Sequence, residues 1–411
     1  MNNPAISRLT WLVYLQQFTS ECMPIYPFYA IMFVQRSGLS VAQVSALFAI
    51  WILVALVSEI PTGLLADRFS RRSVLVVSKL MQAAAFLTWW LYPGFTGYAV
   101  GFVLWGVGYA FNSGAFQAYV YEEMAALGAI KQFTKVFSRS QSLALVGMVV
   151  AYAGASLVGS RNYAVLLISS LVISLLSAAV AAAFPAETRR HTPSEAKKLA
   201  GLRSTLAEVA SSPLLQRLVI SVAIVVAIGS ALEEYVPLYY QTMGAVDRFI
   251  PGLLIIGLAL SAYLSWRVDK LERLGAQWRA LLVVVAGAAV LVTSYAGGAL
   301  AIIGLFTFMR LINVTKLLYE ASLQHSVAGP SRATISSLPT FIAECLSLAL
   351  VAVYGWASRF GGNVGSMRVI GGIVIGLGGV MALVWLRRSL PQPGPAAAPV
   401  VSATDEMHDK F

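Results

Sequence analysis

The residues of this 411-residue chain that could do chemistry are charged and amide side chains set inside long apolar runs. Glu21 follows Gln17 by one helical turn, so the two share a face. Pro24 and Pro27 come next and should kink a helix and free its backbone carbonyls. Glu233 and Glu234 precede Pro237 and Tyr239-Tyr240-Gln241. Arg310, Asn313 and Lys316 recur at i+3, with Glu320 beyond them, and Thr340, Glu344 and Ser347 make a second polar stripe. Asn112, Ser113, Phe116 and Gln117 mark a fourth such place. Burial favours the neutral form of a carboxyl, and a nearby guanidinium favours the charged form. A carboxyl that alternates between two such surroundings takes up and releases a proton. A fixed ion pair between Arg310 and one glutamate is the competing reading.

The elements that carry these residues follow from composition. Of the residues, 58% are apolar and 11% charged, and mean hydropathy is +0.75. A soluble domain has about a quarter of its residues charged. A helix of about 20 apolar residues crosses the hydrocarbon layer, and an ionised side chain at its centre costs about 2.5–3.5 kcal/mol on insertion scales. The apolar runs predict spans at 9–34, 41–65, 73–92, 97–121, 138–159, 162–184, 215–240, 249–268, 278–297, 299–320, 334–357 and 366–387. With the N-terminus inside, 22 of the 29 Lys and Arg residues, Lys79 among them, fall in cytoplasmic segments. Five fall outside, and Arg310 and Lys316 lie within a span. Basic residues accumulate on the cytoplasmic side, so an even number of spans and a cytoplasmic N-terminus are expected.

The formal charge of +11 is spread in short clusters between spans, which read as topology signals and not as a nucleic-acid surface. The first apolar run lacks a cleavage site and should act as an uncleaved insertion signal. Cys22 and Cys345 lie in apolar runs, and neither they nor His191, His325 and His408 have metal-ligand spacing, so no metal or cofactor is expected. Trp89 and Trp90, near a span end, are expected as interface anchors. The expected organisation is an N-terminal six-helix bundle (1–184), a cytoplasmic central loop (185–214), a C-terminal six-helix bundle (215–388) and a disordered cytoplasmic tail (389–411).

Between the second and third spans lies Gly63-Leu64-Leu65-Ala66-Asp67-Arg68-Phe69-Ser70-Arg71-Arg72. The matching place between the eighth and ninth holds Arg267-Val268-Asp269-Lys270-Leu271-Glu272-Arg273, again an acid, a base and a further base. Internal repeats of this kind mark many secondary transporters. The first segment resembles the signature loop of the major facilitator superfamily, with Ser70 where a Gly is usual. Glu59-Ile60-Pro61-Thr62-Gly63 and Ser113-Gly114-Ala115 with Tyr121-Glu122 resemble bacterial drug and metabolite permeases of that family, and the likeness runs over roughly residues 5 to 390.

The resemblance implies an all-α membrane protein of twelve transmembrane helices in two pseudo-symmetric six-helix bundles, monomeric in the bilayer. It implies that Gly63, Asp67, Arg68, Arg71 and Arg72 form a cytoplasmic gate. It also implies that the first, fourth, seventh and tenth spans surround a central cavity. Glu21 or Glu344 is then the expected proton-coupling acid, with Arg310 as counter-charge. Gln17, Asn112, Phe116, Gln117, Glu233, Glu234, Tyr239, Asn313 and Lys316 are expected about the substrate. Drug/proton antiporters of the family often carry a Gly-rich, Pro-containing stretch in the fifth span. Here Gly147 to Gly159 keeps the small residues without the proline. No Gly-x-x-x-x-Gly-Lys loop is present, so ATP is not the expected energy source. The function expected is proton-coupled efflux of a small organic molecule across the inner membrane. The alternatives are proton-coupled import of a metabolite or metal-chelate and, more remotely, a transporter-like receptor. No nucleophile–base set suggests an enzyme.

Overall fold

The computed structural model describes residues 4–112, 114–186, 207–327 and 332–387, with the side chains of all these except 59–68, 269, 332–334 and 336. In lipid the backbone's polar groups must be satisfied inside the protein, which helices do best, and the described residues form helices joined by turns. Eleven segments are long and apolar enough to cross a membrane. The remaining span, the first, is broken into Pro4–Glu21 and Tyr29–Ser37. The second to sixth are Val41–Arg68, Arg71–Leu91, Phe95–Asn112 with Ala115–Ala126, Phe133–Val158 and Tyr163–Ala182. The seventh is Pro213–Glu233 with Val236–Thr242; then come Ile250–Trp266, Ala276–Ala296, Gly298–Ser326, Arg332–Ala357 and Gly362–Leu386. These are the twelve helices expected from the apolar runs. Most of the central loop and the tail lie outside the described residues.

The two sets of six pack alike. In the first, span one packs on five, two on four, and three on both four and six. In the second, seven packs on eleven, eight on ten, and nine on both ten and twelve. Adding six to each member of the first set reproduces the second, so the internal echo seen in the loops extends to the packing. Small residues let these helices approach. A Cβ on Gly147 would stand 2.3 Å from the carbonyl oxygen of Phe18, and one on Gly287 would stand 2.8 Å from that of Gly371. The outward faces carry side chains such as Leu157 and Val292, 90% and 68% exposed, as lipid contact requires.

Local chemistry sets where helices begin and break. Ser70 has extended backbone (φ −67°, ψ 137°), and its hydroxyl accepts from the Ser73 amide, capping the third span. A serine therefore replaces the usual glycine because this turn needs no left-handed residue and gains a cap. Asn162 and Ser212 cap the sixth and seventh spans in the same way. The first span breaks at 22–28, around Pro24 and Pro27, and the freed amide of Ile25 donates to Ser170 Oγ on the sixth span at 3.1 Å. The seventh breaks at Glu234-Tyr235, just before Pro237. The fourth breaks at Gly114, whose φ is 73°.

The two bundles meet along the second and eleventh spans and along the fifth and eighth. At the end that carries the turns after the first, fifth and seventh spans, they are joined by hydrogen bonds. Asp247 accepts from Ser160 Oγ and, at 3.4 Å, from Gln35 Nε2. Ser156 Oγ donates to the Arg248 carbonyl, and Tyr235 OH bonds Ser45 Oγ at 2.7 Å. With the N-terminus inside, as the basic residues predict, this is the outer end.

Candidate functional site

A cavity of about 320 Å³ lies between the bundles, and both contribute charge to it: Glu21 and Lys79 from the first, Glu233, Glu234 and Arg310 from the second. Aromatic rings stand out among its apolar walls. Tyr26 lies parallel to Trp105 with ring centres 5.4 Å apart, and Trp105 is parallel to Phe102 at 5.9 Å. Trp51, Tyr109, Tyr240 and Phe306 add further rings, and Leu253, Leu254 and Met309 add aliphatic surface.

The helix breaks place the acids. Glu21 is the last residue of the helix Pro4–Glu21 and Glu233 the last of Pro213–Glu233, one in each repeat. The carbonyl groups at a helix C-terminus carry partial negative charge, so the two helix ends and their carboxyls together favour a proton or a cation in the space between. Glu21 and Lys79 stand within electrostatic reach of one another, and Glu233 stands within reach of Arg310 and Lys316. Lys79 is 6% exposed, and its ammonium donates to Gln82 Oε1 at 3.4 Å. Gln82 in turn donates to Tyr26 OH at 3.0 Å. Arg310 donates to the carbonyl of Gly257 and to Ser261 Oγ on the eighth span. Asn313 joins it on Ser261 at 2.9 Å.

Glu21, Glu233, Glu234, Arg310 and Asn112 line the cavity. Asn313 clasps the eighth span beside it, and Lys316 pairs with Glu320 at 4.0 Å. Tyr239 is fully buried, whereas its neighbour Tyr240 lines the cavity. Gln17 is half-buried outside the lining. The preceding residue, Gln16, is buried and donates to Ser177 at 3.1 Å. Phe116 packs in a second apolar core with Phe137 and Phe184. Gln117 faces a shallow groove with Tyr121 and Glu122. Glu344 is half-buried on the eleventh span and is not among the cavity-lining residues.

Lys79 departs from its expected place. It lies within the third span and faces the cavity, so it does not belong to the cytoplasmic charges. The signal was available: Val74 to Val77 precede it inside the apolar run, and Gln82 sits on the same face. Trp89 departs likewise, being fully buried and donating to the Tyr98 carbonyl at 3.1 Å instead of anchoring at the interface.

In the signature loop, Arg71 forms an ion pair with Glu122 and Arg72 donates to the Ala182 carbonyl, which ties the loop to the fourth and sixth spans. The side chains of Gly63, Asp67 and Arg68 lie outside the described residues. In the second repeat Arg279, 6% exposed, performs a comparable task. It donates to the carbonyls of Glu272, Leu274 and Leu318 at 2.7–2.8 Å, fastening the turn before the ninth span to the tenth.

The fold is shared by solved transporters. The nucleoside transporter NupG matches with a TM-score of 0.72 at 15% identity, over 94% of this chain and 99% of its own. A bacterial homolog of the human lysosomal transporter Spinster, inward-facing and unoccupied, matches at 0.70 and 14%, over 95% and 100%. A D-xylose–proton symporter matches at 0.70 and 13%, over 94% and 98%. No curated protein matches the chain. The Major Facilitator Superfamily profile matches residues 9–352. With twelve spans in two like-packed bundles around one charged cavity, the chain belongs to the Major Facilitator Superfamily of membrane transporters.

Proposed function

We propose that this protein is a proton-coupled secondary transporter that exports a small organic solute across the inner membrane by alternating access. Its termini are cytoplasmic and it acts as a monomer. The observation that carries this reading is the contribution of acids and bases by both bundles to one cavity. When the bundles rock, Glu21 and Glu233 change their distance from the charges opposite and from water. Each can then take up a proton on one side and release it on the other. Of the two acids expected to couple, this arrangement supports Glu21 over Glu344.

Substrate-induced proton movement in proteoliposomes tests the proposal, with a panel of organic cations, organic acids and metal-chelates and with Glu21→Gln beside the wild type. A pH change caused by one class and lost in the variant supports coupled transport through Glu21. Transport of labelled solute with no proton movement would overturn the coupling. The likeness in fold to a D-xylose–proton symporter keeps import as the second reading, and the sign of the pH change separates the two.

A further inference from the structure

The charges lining the cavity do not balance. Glu21, Glu233 and Glu234 face Lys79 and Arg310, which leaves one negative charge when all are ionised. A cavity lined mostly by apolar side chains disfavours a net charge that nothing compensates.

The imbalance can be assigned to one residue. Lys79 is within reach of Glu21, and Arg310 is within reach of Glu233 while its guanidinium also holds Gly257 and Ser261. Lys316, also within reach of Glu233, lies outside the cavity lining and has its charge offset by Glu320 at 4.0 Å. Glu234 has no described cation beside it; the titratable groups around it include its chain neighbour Glu233 and the phenols of Tyr26 and Tyr235, the latter bonded to Ser45. It sits in the break of the seventh span, just past the carbonyl end of Pro213–Glu233, where the helix dipole also favours a positive guest. Tyr26, within reach of Glu234, is the outer ring of the Tyr26–Trp105–Phe102 stack. A cation at Glu234 therefore meets an aromatic face, and a ring attached to that cation can lie along the stack.

Resting on the proton-coupled reading above, we propose that the cavity binds one monovalent organic cation bearing an aromatic ring, seated on Glu234, and exchanges it for one proton. Either guest neutralises the cavity, so the two compete and the exchange carries no net charge. An anion would double the imbalance. A neutral or zwitterionic guest would leave it in place.

The probe is radiolabelled 1-methyl-4-phenylpyridinium, compared with the zwitterion tryptophan, the anion biphenyl-4-sulfonate and the dication methyl viologen. For purified protein in detergent, the proposal expects saturable binding of the monocation with release of one proton per cation bound. It also expects at least tenfold weaker binding in Glu234→Gln and binding within a few-fold of wild type in Glu234→Asp. In proteoliposomes, an outward proton gradient should drive its uptake, and potassium–valinomycin potentials of either sign should leave the rate unchanged. The proton count on the wild type tests the proposal even if Glu234→Gln does not fold. Uptake that follows the imposed potential would overturn the charge count. Proton-linked movement of tryptophan or the sulfonate without the monocation would overturn the cation site and leave proton-coupled transport standing. Failure of every solute to move in protein shown to be folded would remove both.

Discussion

The carboxylate of Asp247, on the connection between the seventh and eighth spans, accepts a hydrogen bond from the hydroxyl of Ser160 on the opposite bundle. Gln35 of the first bundle and Gln241 of the second bond the same carboxylate, at 3.4 and 3.1 Å. Gln35 also accepts from Tyr163 OH. One side chain thus gathers donors from both halves at the end where they meet. Two of these bonds must break if the halves part there. A hydrogen bond contributes about 0.5–1.5 kcal/mol net, so the pair is worth about 1–3 kcal/mol.

Asp247→Ala should therefore raise the population open at this end roughly five- to a hundredfold, since each 1.4 kcal/mol is a factor of ten. The readout is labelling by a membrane-impermeant maleimide of a cysteine introduced by Leu254→Cys, which lines the cavity, with Cys22 and Cys345 replaced by serine. Faster labelling from outside is expected. An unchanged rate would mean that the second–eleventh and fifth–eighth helix contacts close this end without Asp247.

Ser70 gives a second expectation. Its hydroxyl caps the third span through the Ser73 amide at 3.2 Å. Losing a serine cap to alanine costs about 1 kcal/mol, and losing it to glycine only a few tenths. Ser70→Ala should lower the melting temperature of the purified protein, whereas Ser70→Gly, which restores the residue usual in this loop, should lie between it and wild type. Equal melting of all three proteins would show that the cap contributes nothing measurable.

The contrast between what was legible in the chain and what was not follows from how far each feature reaches in space. Span number and the breaks at Pro24, Pro27 and Pro237 depend on local hydropathy and on missing amides, so they are written in consecutive residues. The acids at those breaks, Glu21, Glu233 and Glu234, could be read with them. Lys79 was harder because a basic residue two turns into a span, near a cluster of cytoplasmic arginines, has the same local pattern whether it reaches to the interface or faces a cavity. The third span's rotation decides that, and the rotation is set by packing on the fourth and sixth. Gln16 and Gln17 differ by 100° around the helix, enough to send one to Ser177 and the other elsewhere. Asp247 could not be found from its own loop, since Gln35 and Ser160 lie far from it in sequence.

The glycine run of the fifth span separates packing from mere smallness. A Cβ on Gly147 would meet the Phe18 carbonyl at 2.3 Å, whereas one on Gly154 would meet nothing within 4 Å. Backbone cannot move aside as a flexible side chain can, and overpacking of this kind costs about 1–3 kcal/mol. Gly147→Ala should destabilise the protein by that order, and Gly154→Ala should be neutral or slightly stabilising. Thermal unfolding in detergent gives the comparison, and similar losses in both would place the effect in helix flexibility instead.

The Glu21–Lys79 pair yields the last prediction. Both groups line the cavity, Lys79 is 6% exposed, and each lies within electrostatic reach of the other. Removing one of two charges that compensate each other leaves the other uncompensated, whereas replacing both is often neutral. Lys79→Met alone and Glu21→Gln alone should each lower stability, the first more strongly because no other described base stands within reach of Glu21. The double variant should recover much of the loss. The double variant keeps Glu234 and the cavity's net charge, so proton movement lost in it, although the protein melts near the wild-type temperature, would place the exchanged proton on Glu21. Additive losses in the double variant would mean that the two charges do not act on each other. Proton movement retained by the double variant would transfer the coupling role to Glu234, the acid with no described cation beside it.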